Sequence, residues 1–107
     1  MPSRLSVVLR RIRRLAAERK VRFTLKALRE LASLELGLDP EDACDVLERL
    51  TLVDLAERIR SKVTGEWMFV FKPHVAAIDL YIKLILRDEC LVVSFHEDEG
   101  PGHEEDR

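Results

Sequence analysis

Hydrophobic positions in this chain change period partway along. In the first half, Leu5, Val8, Leu9, Ile12, Leu15 and Ala16 follow i, i+3, i+4, i+7 spacing with arginines between them, which predicts an amphipathic helix over 4–19 starting near Pro2 or Ser3. Val21-Arg22-Phe23 reads as a short extended link, and Thr24 as the N-cap of a second helix from Leu25 to about Leu36, stopped by Gly37. Asp39-Pro40-Glu41-Asp42 is a strong helix start: a capping carboxylate, a proline where no N–H is needed, and acids at the positive end of the dipole. That third helix runs to about Leu50 and would bury Ala43, Cys44, Val46, Leu47 and Leu50. Thr51 and Asp54 suggest another turn or helix start.

From Trp67 onward the period is two. Trp67–Lys72 predicts a strand ended by Pro73, and 78–87 with 90–96 predicts a β-hairpin around Asp88-Glu89. A two-residue loop would pair Arg87 with Cys90, Ile85 with Val92, Lys83 with Ser94 and Tyr81 with His96 on one face. The other face would carry Ile78, Leu80, Ile82, Leu84 and Leu86 with Leu91, Val93 and Phe95. Residues 52–63 satisfy both periods, and local propensity favours helix. A strand there would set Arg58, Arg60 and Lys62 in a row. Helices followed by strands give an α+β class: an antiparallel sheet of three to four strands with the N-terminal helices packed on one face. Residues 1–98 read as one domain, and 99–107, acidic and without an apolar anchor, as a disordered tail.

Composition narrows the class. An apolar share of 47% indicates a folded globule, yet no apolar run approaches the ~20 residues a membrane helix needs, and no secretory signal is expected. Cys44 and Cys90 form no C-x-x-C pair and read as buried, reduced thiols of a cytoplasmic protein. Charge is unevenly spread. Residues 1–29 hold ten basic residues against one acid, and the remainder eight against nineteen. Such a split suggests a nucleic-acid or acidic partner for the basic end; a solvated basic helix face is the plainer alternative.

Phosphate-binding glycine loops, dinucleotide fingerprints, nucleophile elbows and H-E-x-x-H are all missing, and His74, His96 and His103 lack metal-ligand spacing, so neither metal nor cofactor is expected. The polar hairpin face remains: Tyr81, Lys83 and His96, with Lys72 and the Arg58, Arg60, Lys62 row expected beside it. Cleaving RNA at a ribose 2′-OH needs a base, an acid and cations around the phosphorane, and these residue types supply all three without a metal. Tyr81, His96 and Lys83 are the candidate catalytic residues; Arg58, Arg60, Lys62 and Lys72 are the candidate RNA-binding residues. A non-catalytic nucleic-acid-binding module, and a protein-interaction domain using the basic N-terminal helix, are the alternatives.

Gly37-Leu38-Asp39 before a helix, Trp67 before an aromatic strand ended by Pro73, Tyr81-Ile82-Lys83 and Leu91-Val92-Val93-Ser94-Phe95-His96 together resemble the MqsR (motility quorum-sensing regulator) family of toxins. Arg4-Leu5-Ser6 and Lys20-Val21-Arg22 fit it too, and the resemblance covers about residues 4–98. It implies a RelE-like ribonuclease that cuts mRNA at short sequence contexts. It also implies a cognate antitoxin partner with zinc-binding and helix-turn-helix domains, and a strand rather than a helix at 55–63. The family's active-site tyrosine falls on Tyr81 and its terminal basic residue on His96. A second lysine falls at Glu57 or Arg58, of which only Arg58 keeps the charge, and a glutamine falls on Met68.

Overall fold

The computed structural model describes residues 4–100. Its elements are α1 (Arg4–Ala17), β1 (Val21–Phe23), α2 (Leu25–Ser33), α3 (Pro40–Glu48), a 3-10 turn (Leu52–Asp54), β2 (Leu55–Arg60), β3 (Trp67–Phe71), β4 (His74–Val75), β5 (Ile78–Leu86) and β6 (Cys90–Glu97). Pro2, Ser3 and the expected tail beyond Gly100 lie outside the described residues.

The class is α+β, but the sheet is larger than the hydrophobic pattern suggests. Its strands run β1-β6-β5-β3-β2, with the short β4 also paired to β5. The sheet is mixed, because Val21–Phe23 pairs in parallel with Cys90–Val92. Three residues give too short a run for alternation to be visible. They are held as a strand by the free edge of β6, where the Cys90 N–H donates to the Lys20 carbonyl at 3.0 Å.

The helices form where their caps dictate. On α3, Asp39 and Asp42 close a capping box, with bonds of 2.8 and 3.0 Å. On α2, Thr24 Oγ1 accepts from the Ala27 N–H at 3.0 Å. That helix ends at Ser33, short of Leu36, because Leu34 is already extended. After α1, Arg19 takes a left-handed φ of +59°. Its guanidinium then reaches Glu41, Asp45 and Glu48 of α3 at 3.0, 2.9 and 2.9 Å, a cluster that raises its pKa and ties α1 to α3. Leu9, Ile12, Leu15 and Leu47 then pack with Phe71, Leu80, Ile82, Leu84, Val92 and Phe95 into the core, on one face of the sheet.

Two bulges set which side chains reach which face. The β5–β6 loop has three residues, Arg87, Asp88 and Glu89, not two, so Leu86 pairs with Cys90 and Ile85 with Leu91. The expected Arg87–Cys90 and Ile85–Val92 pairs do not form. Val93 has no partner across the ladder, and beyond it the expected register holds: Lys83 opposite Ser94 and Tyr81 opposite His96. An extra residue on one strand reverses side-chain parity on one side of the bulge. Cys90 and Val92 therefore enter the core in place of Leu91 and Val93. On β2, Ala56 is the extra residue, so Leu55 lies opposite Phe71 while Glu57 lies opposite Val70. Residues 55–60 are a strand, as the family resemblance implies and against local helix propensity, because pairing with β3 outweighs it.

Candidate functional site

The sheet face turned away from α1 and α3 carries the polar residues. Register places Glu57, Val70, Lys83 and Ser94 in one row across β2, β3, β5 and β6. The next row toward the strand ends carries Tyr81 and His96, with Lys72 just beyond the end of β3. In the other direction, Ile59, Met68, Ile85 and Leu91 make an apolar row.

Tyr81 and His96 stack, with ring centroids 4.8 Å apart and planes 11° from parallel. The ammonium groups of Lys72 and Lys83 each lie 5.8 Å from the Tyr81 ring centre. Lys83 is 7% exposed and, among the described residues, has neither a hydrogen bond nor an ion pair. Its stem is buried while its ammonium keeps contact with solvent, as a lysine does when it lays its methylenes along an apolar surface and presents its charge at the edge. His96 Nδ1 lies 2.7 Å from the Glu97 carbonyl. A carbonyl only accepts, so Nδ1 carries the proton and proton exchange with a substrate falls to Nε2.

A cavity of about 90 Å³ opens here, lined by Glu57, Lys72, Tyr81, His96, Asp98, Glu99 and Gly100. A larger hollow of about 660 Å³ lies by the hairpin loop, but its cations are engaged: Arg22 with Glu89 at 3.1 Å and Arg87 with Glu66 at 2.7 Å. Size therefore does not mark the chemistry in this molecule.

The sheet does not bring all the expected residues together. Tyr81, Lys83, His96 and Lys72 converge. Arg58 and Arg60 do not: they stand opposite Phe69 and Trp67, on the helix-bearing face, and their guanidinium carbons lie 4.3 and 4.4 Å from the Trp67 ring centre. Trp67 is 39% exposed, at an end of that face, and the arginines cover it. Lys62 is exposed in the β2–β3 turn. The position toward the cavity on β2 belongs to Glu57, a carboxylate where the family resemblance allows a lysine.

Asp98, Lys26 and Glu30 had no sequence signal, whereas Ser94 stands where the hairpin pairing set it, opposite Lys83. Asp98 reaches Lys72 at 3.5 Å. Ser94 is fully buried, and its Oγ accepts from Lys26 Nζ at 2.8 Å. Lys26 comes from α2, which runs beside β6 past the end of β1. Glu30, one turn on, accepts the Phe95 N–H at 2.9 Å and pairs with Lys26 at 2.9 Å. Only the parallel pairing of β1, which the hydrophobic pattern does not show, brings α2 to this edge.

Helices lie on one face of the sheet, and stacked phenol and imidazole rings flanked by ammonium groups on the other. The chain is a toxin of a toxin–antitoxin pair. It belongs to the motility quorum-sensing regulator family, toxins of MqsA, whose family model matches residues 5–97. None of the curated proteins matches it. No described helix is long and apolar enough to cross a membrane, and no group of three or more His, Cys, Asp or Glu side chains among the described residues is arranged to hold a metal ion.

Proposed function

We propose that this chain is an endoribonuclease that cleaves mRNA without a metal, in the cytoplasm, until an antitoxin with zinc-binding and helix-turn-helix domains neutralises it. The observation that carries this reading is the Tyr81–His96 stack with the ammonium groups of Lys72 and Lys83 each 5.8 Å from the Tyr81 ring centre. The scissile phosphate occupies the space by Lys83 and Lys72, displacing Asp98 from Lys72. His96 transfers a proton through Nε2. Tyr81 holds the imidazole plane by stacking and donates its phenolic hydrogen to a phosphate oxygen. The lysines stabilise the charge that develops on the phosphorane, where preorganised cations act most strongly. Arg58, Arg60 and Lys62 bind RNA that continues around the β2 edge.

Purified protein incubated with a defined RNA in EDTA tests this. Cleavage is expected, with His96→Ala lowering the rate about 10²- to 10⁴-fold, the usual worth of a proton-transfer group. Tyr81→Phe is expected to lower it less, with folding intact in both. Unchanged rates in both variants would sink the assignment. A second reading, nucleic-acid binding without scission, is favoured by α1, whose Arg4, Arg10, Arg13 and Arg14 are exposed and have no carboxylate partner among the described residues. Salt-sensitive RNA binding with no cleavage at any pH would select it.

A further inference from the structure

Cleavage by 2′-OH attack needs two proton-transfer groups on opposite sides of the phosphorus, because the attacking and leaving oxygens are in line. The Tyr81–His96 pair stands on one side only. Glu57 enters the cavity from β2, and His96 from β6, three strand spacings across and one row along, or roughly 16 Å away at the backbone. Both line the one cavity that also holds Tyr81. The cavity has two other carboxylates, and both are engaged: Asp98 pairs with Lys72, and Glu99 also has a partner. Glu57 alone among the three has no hydrogen bond or ion pair within the described residues.

We infer that Glu57 is the general base of this chain and His96 its general acid, a deepening that rests on the ribonuclease reading. The Glu57 carboxylate takes the 2′-OH proton and the 2′-oxygen bonds to phosphorus. The P–O5′ bond then breaks, and His96 Nε2–H gives its proton to the departing 5′-oxygen. The products are a 2′,3′-cyclic phosphate and a 5′-hydroxyl. Glu57 ends protonated and His96 neutral, and solvent returns both to their starting states. The groups facing Glu57 are Lys72 on the β3–β4 link, Tyr81 on β5, His96 on β6, and Asp98 and Glu99 after it. A carboxylate with no catalytic role would only repel the phosphate, so the two roles predict effects of opposite sign.

The test is the pH dependence of kcat/KM on a defined RNA in EDTA, for the wild type, Glu57→Gln, Glu57→Asp and His96→Ala. The wild-type profile is expected to be bell-shaped. Glu57→Gln is expected to lose the acid limb and fall about 10²- to 10⁴-fold in rate. Its melting temperature should be unchanged, and it should bind an all-2′-O-methyl RNA, which has no 2′-OH to be activated, equally or more tightly. Glu57→Asp should keep the acid limb at a reduced rate, and His96→Ala should lose the alkaline limb. A Glu57→Gln protein that cleaves as fast as the wild type, or faster, with an unchanged profile overturns the inference and leaves the ribonuclease reading standing. A wild-type protein that does not cleave RNA overturns both.

Discussion

Lys83 carries a charge that folding alone does not use. It sits between Val70 and Ser94 on the sheet, almost without exposure, and holds no counter-charge. Its stem is what packs, and methionine reproduces that stem, so Lys83→Met should melt within a few degrees of the wild type, where about 1 kcal/mol moves the midpoint roughly 4–8 °C in a domain of this size. The same change should lower RNA affinity and cleavage by at least an order of magnitude. Thermal melts and cleavage assays on one preparation check both. At this scale the sequence was partly legible. Tyr81 and His96 could be paired from the hairpin alone, because the register beyond Val93 coincides with that of a two-residue loop. Arg58 and Arg60 could not be placed, because alternation says which residues share a face but not which face. The bulge at Ala56, and a Trp67 ring that the helices leave for the arginines to cover, decide that.

Among elements, the two turns on the same end of the sheet are joined. Arg87 of the β5–β6 loop meets Glu66, just before β3, through two bonds of 2.9 and 2.7 Å. The arginine, with Thr64, holds the Glu66 carboxyl down at about 2. An unfolded glutamate titrates near about 4.3, so this contribution is complete above that pH and is lost as pH falls through about 2. Arg87→Ala should melt below the wild type at pH 7, and the gap should close as pH falls from about 4 to 2; a constant gap would refute the linkage. The helices were mostly legible, since their caps are local chemistry. The position of α2 was not, because it depends on the parallel β1 pairing at long range. Lys26→Gln should accordingly loosen β6 at Ser94 and Phe95, seen as faster amide exchange there.

For the whole molecule, the charge split becomes spatial. The arginines of α1 lie across the sheet from the Tyr81 face, so the basic helix and the candidate site look in opposite directions. Exchanging Arg10, Arg13 and Arg14 for Gln should leave cleavage of a short oligonucleotide within about twofold, because each is a surface change remote from the cavity. The same variant should weaken any partner held on that helix, with a shallower salt dependence of binding. Equal loss on short RNA would mean that the substrate wraps both faces. The α+β class could be read from the order of periodicities, helical first and alternating after. The sheet's true width could not, because its outer strands are short or fit a helix equally well.

The unpaired Val93 also sets the protein's redox behaviour. Without the bulge, Cys90 would lie on the face with Tyr81 and His96. With it, Cys90 is fully buried, and burial pushes its thiol up to about 12, so essentially no thiolate exists at neutral pH. Cys44, also buried, has its thiol raised for the same reason. Folded protein should thus withstand peroxide and alkylating reagents. Trapping of Cys90 by iodoacetamide would then act as a clock for opening of the hairpin, running at the rate at which β6 separates from β5.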